Sequence, residues 1–161
     1  MARGRGWPRV RGAVLAVALA GCGYGFTATG RLAGGVTSAA VRPFEIRSTE
    51  PELGAILAGA LRDELATRGA LARGASRTVV EGEVSVGAPA LAAPGAVRWR
   101  IALDVRARLL DGERVVAERS LRREADYPAG LDALETEGRR ALALRALAAE
   151  CARALAVSLM E

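Results

Sequence analysis

The residue with the clearest chemistry is Cys22, which follows an apolar run near the start of the chain. Residues 13–20 are all alanine, valine or leucine, and Gly21 separates them from the cysteine. No acidic residue precedes the run, and the basic residues before it are Arg3, Arg5, Arg9 and Arg11. A basic segment followed by a short apolar run is the pattern of an export signal. Because roughly 20 apolar residues are needed to cross a bilayer, a permanent transmembrane helix is not expected.

The four residues Leu19, Ala20, Gly21 and Cys22 resemble a bacterial lipobox. The resemblance implies that the Cys22 thiol takes a diacylglycerol, that residues 1–21 are removed as a signal peptide, and that the new amine is acylated, for example with palmitate. Two or more acyl chains hold a protein stably on a membrane, at ~0.8 kcal/mol per buried methylene. Gly23 stands where an inner-membrane retention signal commonly has aspartate. We therefore expect an outer-membrane lipoprotein that faces the periplasm.

Several kinds of catalysis are excluded by composition. The chain has no histidine and no lysine, which removes histidine-based triads, histidine-ligated zinc, phosphate-binding loops that need lysine, and lysine Schiff bases. It also has no GxSxG nucleophile elbow. The positions of Asp104, Asp111 and Asp132 in the sequence are explained by their roles in predicted secondary structure, so none of them needs a catalytic role. The sequence therefore predicts no enzyme, no metal and no cofactor.

A second group of residues suited to chemistry is a row of arginines at alternate positions. Between residues 97 and 109, charged and apolar residues alternate, which predicts a half-buried antiparallel strand. Its core face would carry Val97, Trp99, Ile101, Leu103, Val105, Ala107 and Leu109. Its other face carries what we call the arginine stripe, Arg98, Arg100, Arg106 and Arg108. Guanidinium groups bind phosphates bidentately; alternatively, the face is simply solvated and its charges are balanced by Asp104, Glu118 and Glu124.

Net charge argues against a nucleic-acid partner. The formal charge of +5 includes the four arginines of the predicted signal peptide, so the remaining chain is close to neutral. Cys151 is the second of two cysteines. If Cys22 is acylated, no intramolecular disulfide can form, and Cys151 is expected to pack as a small apolar side chain.

The chain divides into three parts. Residues 1–21 form the signal peptide, residues 22–36 a lipidated, glycine-rich tether, and residues 37–161 a single domain of α+β class. The tether is glycine-rich and poor in aliphatic residues, and about 15 such residues reach roughly 20 Å. Tyr24 and Phe26 are assigned to contact with the lipid interface or to local packing rather than to a dedicated ligand site.

The first half of the domain reads as strand, helix, strand. Residues 37–46 form a short edge strand, because Pro43 cannot donate a ladder hydrogen bond. Thr49 and Glu52 have the spacing of a capping box, which predicts that a helix starts there. Gly69 is expected to cap its C-terminus, and residues 77–86 form the next strand. The core stripe of this helix is Leu53, Ile56, Leu57, Ala60, Leu61 and Leu65.

The second half reads as a hairpin followed by a long helix. The fourth strand spans residues 113–123 after a turn at Asp111 and Gly112. A two-residue turn would put Val116, Glu118, Ser120 and Arg122 on the core face, whereas a bulged three-residue loop would put Val115, Ala117 and Leu121 there. We favour the bulged loop. The last helix runs from residue 131 or 134 to residue 158, with a stripe of Leu144, Leu147, Ala148, Cys151 and Leu155.

These elements predict a two-layer α+β sandwich, in which two helices pack on one face of a mostly antiparallel four-stranded sheet. Their order and several local sequences resemble LptE, the lipopolysaccharide-assembly lipoprotein family. The resemblance covers nearly all of the chain after residue 21. It is carried by residues 22–26, Leu32, Gly35, Val36, residues 41–45, residues 47–51 and residues 134–137.

The resemblance implies the same sandwich fold and a function other than catalysis. Members of the family sit partly inside the translocon barrel LptD, act as its plug and assembly factor, and contact lipopolysaccharide during its insertion into the outer leaflet. The arginine stripe then becomes a candidate site for the phosphates of lipid A. The alternative function is a lipid-anchored envelope scaffold with another partner, such as peptidoglycan or a secretion complex. A lipid-anchored hydrolase is disfavoured by the missing catalytic sets.

Overall fold

The computed structural model describes residues 30–95 and 97–160. The predicted signal peptide, Cys22 and most of the predicted tether lie outside these residues. Within them, no helix is both long and apolar enough to span a membrane. The elements, in chain order, are a 3₁₀ turn (Ala33–Gly35), β1 (Ala40–Val41), β2 (Glu45–Ile46), α1 (Leu53–Thr67), β3 (Thr78–Val86), β4 (Ala90–Leu91), β5 (Arg98–Asp111), β6 (Arg114–Pro128) and α2 (Ala133–Ser158).

The alternating segment forms β5, the strand at the middle of the sheet. Ile101, Leu103, Val105, Ala107 and Leu109 are each no more than 2% exposed, which confirms the predicted core face. Trp99 packs partly against the core. The prediction is wrong for Val97, which precedes the strand and is 75% exposed.

The remaining strands assemble around β5. β3 and β6 pair with it on either side, both antiparallel, and the two-residue β4 pairs with its first residues. β1 and β2 pair with β3 and run parallel to it. The helices pack on the core face of this sheet, α1 next to β1–β3 and α2 over β5 and β6. The predicted sandwich of two helices on a mostly antiparallel sheet is confirmed, with six strands instead of four.

Part of the difference in strand number arises at the predicted first strand. This strand lies at the edge of the sheet, as expected, but Pro43 interrupts it, because proline has no N–H for the ladder. The backbone N–H of Phe44 turns away from the sheet and donates to the carbonyl of Gly54 in α1. The strand therefore forms two short pieces, β1 and β2.

The turn between β5 and β6 is tighter than expected. Asp111 pairs with Arg114, so the turn contains only Gly112 and Glu113. Gly112 has a φ of 63°, a value that glycine adopts without strain at the first central position of a two-residue hairpin turn. The predicted three-residue loop is wrong.

A bulge farther along β6 nevertheless brings two of the three residues predicted for the core face of this strand to that face. Val115 and Ala117 pair with consecutive residues of β5, which leaves Val116 without a counterpart. One extra residue reverses which side chains face the core. Ala117 is buried and Leu121 packs partly on the core, as predicted. Val115, in contrast, is 46% exposed, and its assignment to the core is wrong.

Both helices have the predicted core stripes but differ at their starts. α1 begins at Leu53 and has no side-chain cap, so the capping box proposed for Thr49 and Glu52 is wrong. At its other end, Gly69 has a φ of 69° and donates its N–H to the carbonyl of Ala66, which confirms the predicted glycine cap.

α2 carries the capping arrangement that α1 lacks. The Asp132 carboxylate accepts a hydrogen bond of 2.8 Å from the backbone N–H of Glu135. In return, the Glu135 carboxylate accepts one of 2.6 Å from the N–H of Leu131. Two backbone donors at the start of the helix are thereby satisfied. The predicted stripe from Leu144 to Leu155 is buried.

The last residues assigned to the tether pack on the domain. Leu32 is 1% exposed and Ala33 is 9% exposed. The backbone N–H of Ala33 donates to the carbonyl of Leu159 over 2.7 Å. The packed domain therefore begins before Thr37, and its first residues meet the end of α2.

The capping contacts lead to a first prediction. Asp132→Ala should lower the free energy of unfolding by about 1 kcal/mol, because it leaves backbone donors of α2 unsatisfied. Thr49→Ala is the matched control and should change it by less than about 0.5 kcal/mol, since surface changes of this kind have small effects. Urea unfolding followed by circular dichroism measures both. Equal losses in the two variants would contradict this assignment of the caps.

Burial of Cys151 leads to a second prediction. Desolvation raises the pKa of its thiol from 9.0 to about 11. The unfolded chain releases this proton at lower pH than the folded chain, so the folded state should lose stability as the pH rises from about 9 to 11. Chemical unfolding across this range should show a steeper fall for the natural protein than for Cys151→Ala. Parallel curves for the two proteins would refute the prediction.

Candidate functional site

The arginine stripe lies on the face of the sheet opposite the helices. Residues at even positions of β5 point away from the core, because successive side chains of a strand alternate between faces. Arg98, Arg100, Arg106 and Arg108 are all exposed on this open face. The structure thus brings the four predicted residues onto one surface along a single strand.

Three of the four arginines are paired with carboxylates. Arg100 binds both oxygens of Asp126, at 2.8 and 3.1 Å. Arg108 lies 3.3 Å from Glu81, and Arg106 lies 3.6 Å from Glu118. Acidic side chains from the neighbouring strands therefore neutralise most of the stripe.

The predicted balancing residues are only partly the observed ones. Glu118 does pair with Arg106, but Asp104 and Glu124 pair with Arg122 of β6 instead, at 3.0 and 3.2 Å. On the open face, arginine and carboxylate side chains of β3, β5 and β6 therefore alternate and pair across the strands. Each pair is exposed to water, so it contributes little to the stability of the fold by itself.

Arg98 differs from the other three. Among the residues that the structure describes, no carboxylate oxygen lies within 4.0 Å of its guanidinium. The guanidinium donates a long hydrogen bond, 3.5 Å, to the carbonyl of Asp126. Of the predicted stripe, Arg98 is therefore the guanidinium most available to an anionic ligand.

The pair of Arg100 and Asp126 shows the local electrostatics. The hydrogen bonds from Arg100 lower the pKa of the Asp126 carboxyl, and the same contact raises the pKa of Arg100. Both groups therefore keep their charges at neutral pH. A phosphate that binds Arg100 must compete with a carboxylate that stays ionised.

The other end of the stripe borders a cleft of about 500 Å³. Glu81 lies there between Arg42 and Arg108, at 2.8 and 3.3 Å. Glu83 likewise lies between Arg47 and Arg106, at 2.7 and 3.8 Å. Arg42 and Arg47 were not expected on this face. Arg42 lies within the segment 37–46 that was predicted as the first strand, and Arg47 directly follows that segment.

The three aspartates that the sequence analysis singled out each make a definite contact. Asp104 pairs with Arg122, Asp111 pairs with Arg77, and Asp132 caps α2, so each of the three aspartates singled out above has a structural role. In residues 30–95 and 97–160, no cluster of three histidine, cysteine, aspartate or glutamate side chains could hold a metal.

Comparison with solved structures shows that the fold is shared with bacterial lipoproteins. A minor lipoprotein of Acinetobacter baumannii superposes with a TM-score of 0.59 and 17% identity, over 78% of this chain and 92% of that one. A candidate lipoprotein of Caulobacter crescentus gives a TM-score of 0.56 and 21% identity, over 73% and 88%. The chain of a PelC dodecamer from Paraburkholderia phytofirmans gives 0.53 and 18%, over 77% and 89%.

Sequence comparison identifies the family. No curated protein sequence matches the chain. The family model described as "LptE: Lipopolysaccharide-assembly" matches residues 36–159. That range contains every strand and both helices of the sandwich. The chain therefore belongs to the LptE family of lipopolysaccharide-assembly proteins.

Proposed function

We propose that this chain is an outer-membrane lipoprotein, anchored through Cys22 and facing the periplasm, that works with the translocon barrel LptD. It serves as the plug and assembly factor of that barrel and contacts lipopolysaccharide during insertion into the outer leaflet. The observation that carries the proposal is the family match, which spans the whole sandwich. The family is one of envelope proteins for lipopolysaccharide assembly, not of enzymes.

The position of residue 30 supports anchoring at one end of the domain. Gly30 contacts Met160 and lies near the carbonyl of Arg68, so the chain enters where α1 and α2 end. The seven residues 23–29 span at most roughly 25 Å when extended. An acylated Cys22 would therefore hold this end of the sandwich close to the membrane, with the loop before β5 at the far end.

The open face supports contact with a phosphorylated lipid. Arginine binds phosphate through two parallel charge-assisted hydrogen bonds. Among the described residues, no carboxylate oxygen lies within 4.0 Å of the Arg98 guanidinium, and Arg100 lies on the same face, paired with Asp126. Arg100, Arg106 and Arg108 must first exchange their carboxylate partners for phosphate. We infer that, of the four arginines of the stripe, Arg98 makes the strongest contact with lipid A.

Co-purification tests the partner. The C-terminally tagged, lipidated protein is extracted with detergent from its own membranes, and the proteins that accompany it are identified by mass spectrometry. A large β-barrel should be recovered in near-equal amount, because a plug and its barrel form a stable pair. A tagged, unrelated outer-membrane lipoprotein from the same cells gives the background. Recovery of wall or secretion components instead of a barrel would contradict the proposal and favour the scaffold function.

Substitution of the stripe tests the contact with lipopolysaccharide. Changing Arg98, Arg100, Arg106 and Arg108 together to glutamine should weaken lipopolysaccharide binding by about tenfold or more, since each loss removes a charge-assisted contact. The matched control changes four exposed arginines elsewhere by the same charge, namely Arg73, Arg114, Arg145 and Arg153.

The single variants refine this test. Arg98→Gln should weaken binding more than Arg106→Gln, because two carboxylates already compete for Arg106. Thermal unfolding monitors the fold of every variant. Unchanged binding in a folded quadruple variant, or an equal loss in the control quartet, would refute a role for the stripe.

A further inference from the structure

The end of the sandwich opposite Gly30 carries a group of exposed apolar side chains. Seven large apolar side chains are exposed in the part of the chain that the structure describes, and four of them belong to this end. We call these four the apolar tip: Leu91 (54% exposed), Val97 (75%), Leu131 (99%) and Leu134 (83%). Single exposed apolar residues are normal on a protein surface, whereas a group of them marks a binding surface.

Backbone pairing brings the members of the apolar tip together, although they are distant in sequence. Leu91 lies in β4, which pairs with the first residues of β5. The backbone N–H of Ala129 donates to the carbonyl of Val97 over 3.0 Å, and Leu131 follows two residues later. Leu134 lies in the first turn of α2. The tip is therefore built from the segment before β5, the connection from β6 to α2, and the start of α2.

Hydrogen bonds fix the backbone that presents the most exposed of these side chains. The N–H of Leu131 donates to the Glu135 carboxylate over 2.6 Å. The N–H of Gly130 donates to the hydroxyl of Thr136 over 2.9 Å. The Leu131 side chain therefore stands in water on an ordered turn. A ligand that binds an ordered surface loses less of its binding free energy to the ordering of that surface.

An available cation borders the apolar tip. Arg98 directly follows Val97, and its carbonyl accepts a hydrogen bond of 2.9 Å from the backbone N–H of Ala92, the neighbour of Leu91. Within the described ranges, no carboxylate oxygen lies within 4.0 Å of the Arg98 guanidinium. Guanidinium groups bind phosphate, and apolar side chains bind acyl chains because both leave water. The pair of surfaces is complementary to a lipid whose phosphate lies next to its acyl chains.

The length of α2 sets the distance between the apolar tip and the anchored end. Leu134 lies in the first turn of α2, and Gly30 contacts Met160 just beyond its last turn. The 26 residues of α2 span about 39 Å, since each residue adds about 1.5 Å. The hydrocarbon core of a bilayer is about 30 Å thick. In a sandwich that stands upright inside a membrane-spanning barrel, with Gly30 near the inner leaflet, the tip reaches the depth of the outer leaflet.

We propose that the apolar tip binds the acyl chains of lipid A while Arg98 binds one of its phosphates. The inference rests on the proposed function and adds a second part to its lipid site, because the arginine stripe accounts for phosphate alone. Contact with acyl chains removes the exposed leucine and valine side chains from water. The tip therefore distinguishes an acylated lipid from a soluble phosphorylated sugar.

Photocrosslinking tests where the acyl chains lie. The photoreactive amino acid p-benzoylphenylalanine replaces Leu131 in the full-length protein in its own membranes, which are irradiated, and the adducts are identified by mass spectrometry. Leu142 is the matched control, since it is also an exposed leucine near α2 but lies outside the tip. We expect several-fold more lipid A adduct at position 131 than at position 142. Alkaline hydrolysis of the esters should then leave a single fatty acid on the protein, because the crosslink is to an acyl chain.

Substitution tests how much the tip contributes to binding. The tip variant combines three changes, Val97→Ser, Leu131→Ser and Leu134→Ser. It should weaken binding of purified lipopolysaccharide by about tenfold or more, because apolar contact area is lost, and leave binding of fully deacylated lipopolysaccharide unchanged. Arg98→Gln should weaken both. The matched control makes the same kind of change at three exposed sites elsewhere, Val115→Ser, Leu142→Ser and Val157→Ser, and circular dichroism checks that each variant is folded.

The outcomes separate this inference from the proposed function. If the unsubstituted protein binds lipopolysaccharide and the tip variant binds it equally well, the inference is overturned while the proposed function stands. An equal loss in the control variant would overturn it too, as would a position-131 adduct with phospholipid or with a barrel protein in place of lipid A. Tip-dependent binding of lipopolysaccharide by a protein that co-purifies with no barrel would support the inference and contradict the plug.

Discussion

The burial of one face of β5 is the constraint on which the rest of the structure depends. Its core-facing side chains from Ile101 to Leu109 are almost fully removed from water, and each contributes on the order of 1–3 kcal/mol of hydrophobic stabilisation. Both helices lie on that face. The register of β3 and β6 against β5 is therefore constrained, because a slip of one residue would turn the apolar side chains of either strand toward solvent. The two-residue turn by itself would place Val116 and Glu118 on the core face. The extra residue at the Val116 bulge reverses this and places Ala117 and Leu121 there.

This constraint also explains how much of the fold could be predicted from the sequence. The alternation in β5 and the helical stripe of α2 repeat many times, so chance matches are rare, and both predictions were correct except for Val97. The glycine cap of α1 was also correct, since its position follows from where the stripe stops. Local choices with near-equal energies were not predictable. The cap of α1 at Thr49, the three-residue loop and the core position of Val115 were wrong, and each depended on one or two residues.

The candidate site divides in a similar way. The alternation of charged and apolar residues in β5 correctly predicted that all four stripe arginines lie on one face. It could not predict which carboxylates on the neighbouring strands pair with them. Pairing depends on the register of β3 and β6, which brought in Glu81, Glu83 and Asp126. It also depends on the path of the chain around Pro43, which brought Arg42 and Arg47 to the same surface. The near neutrality of this face is therefore a tertiary property.

The contact between Ala33 and Leu159 has a consequence for the order in which the protein is built. Because a chain is synthesised from its N-terminus, Leu32 and Ala33 exist long before Leu159. The hydrogen bond between Ala33 and Leu159 cannot form until almost the whole chain is made, because it joins the two ends of the domain. Until then Leu32 and Ala33 lack the end of α2 as a packing partner. This segment is therefore among the last parts of the described domain to reach its final position.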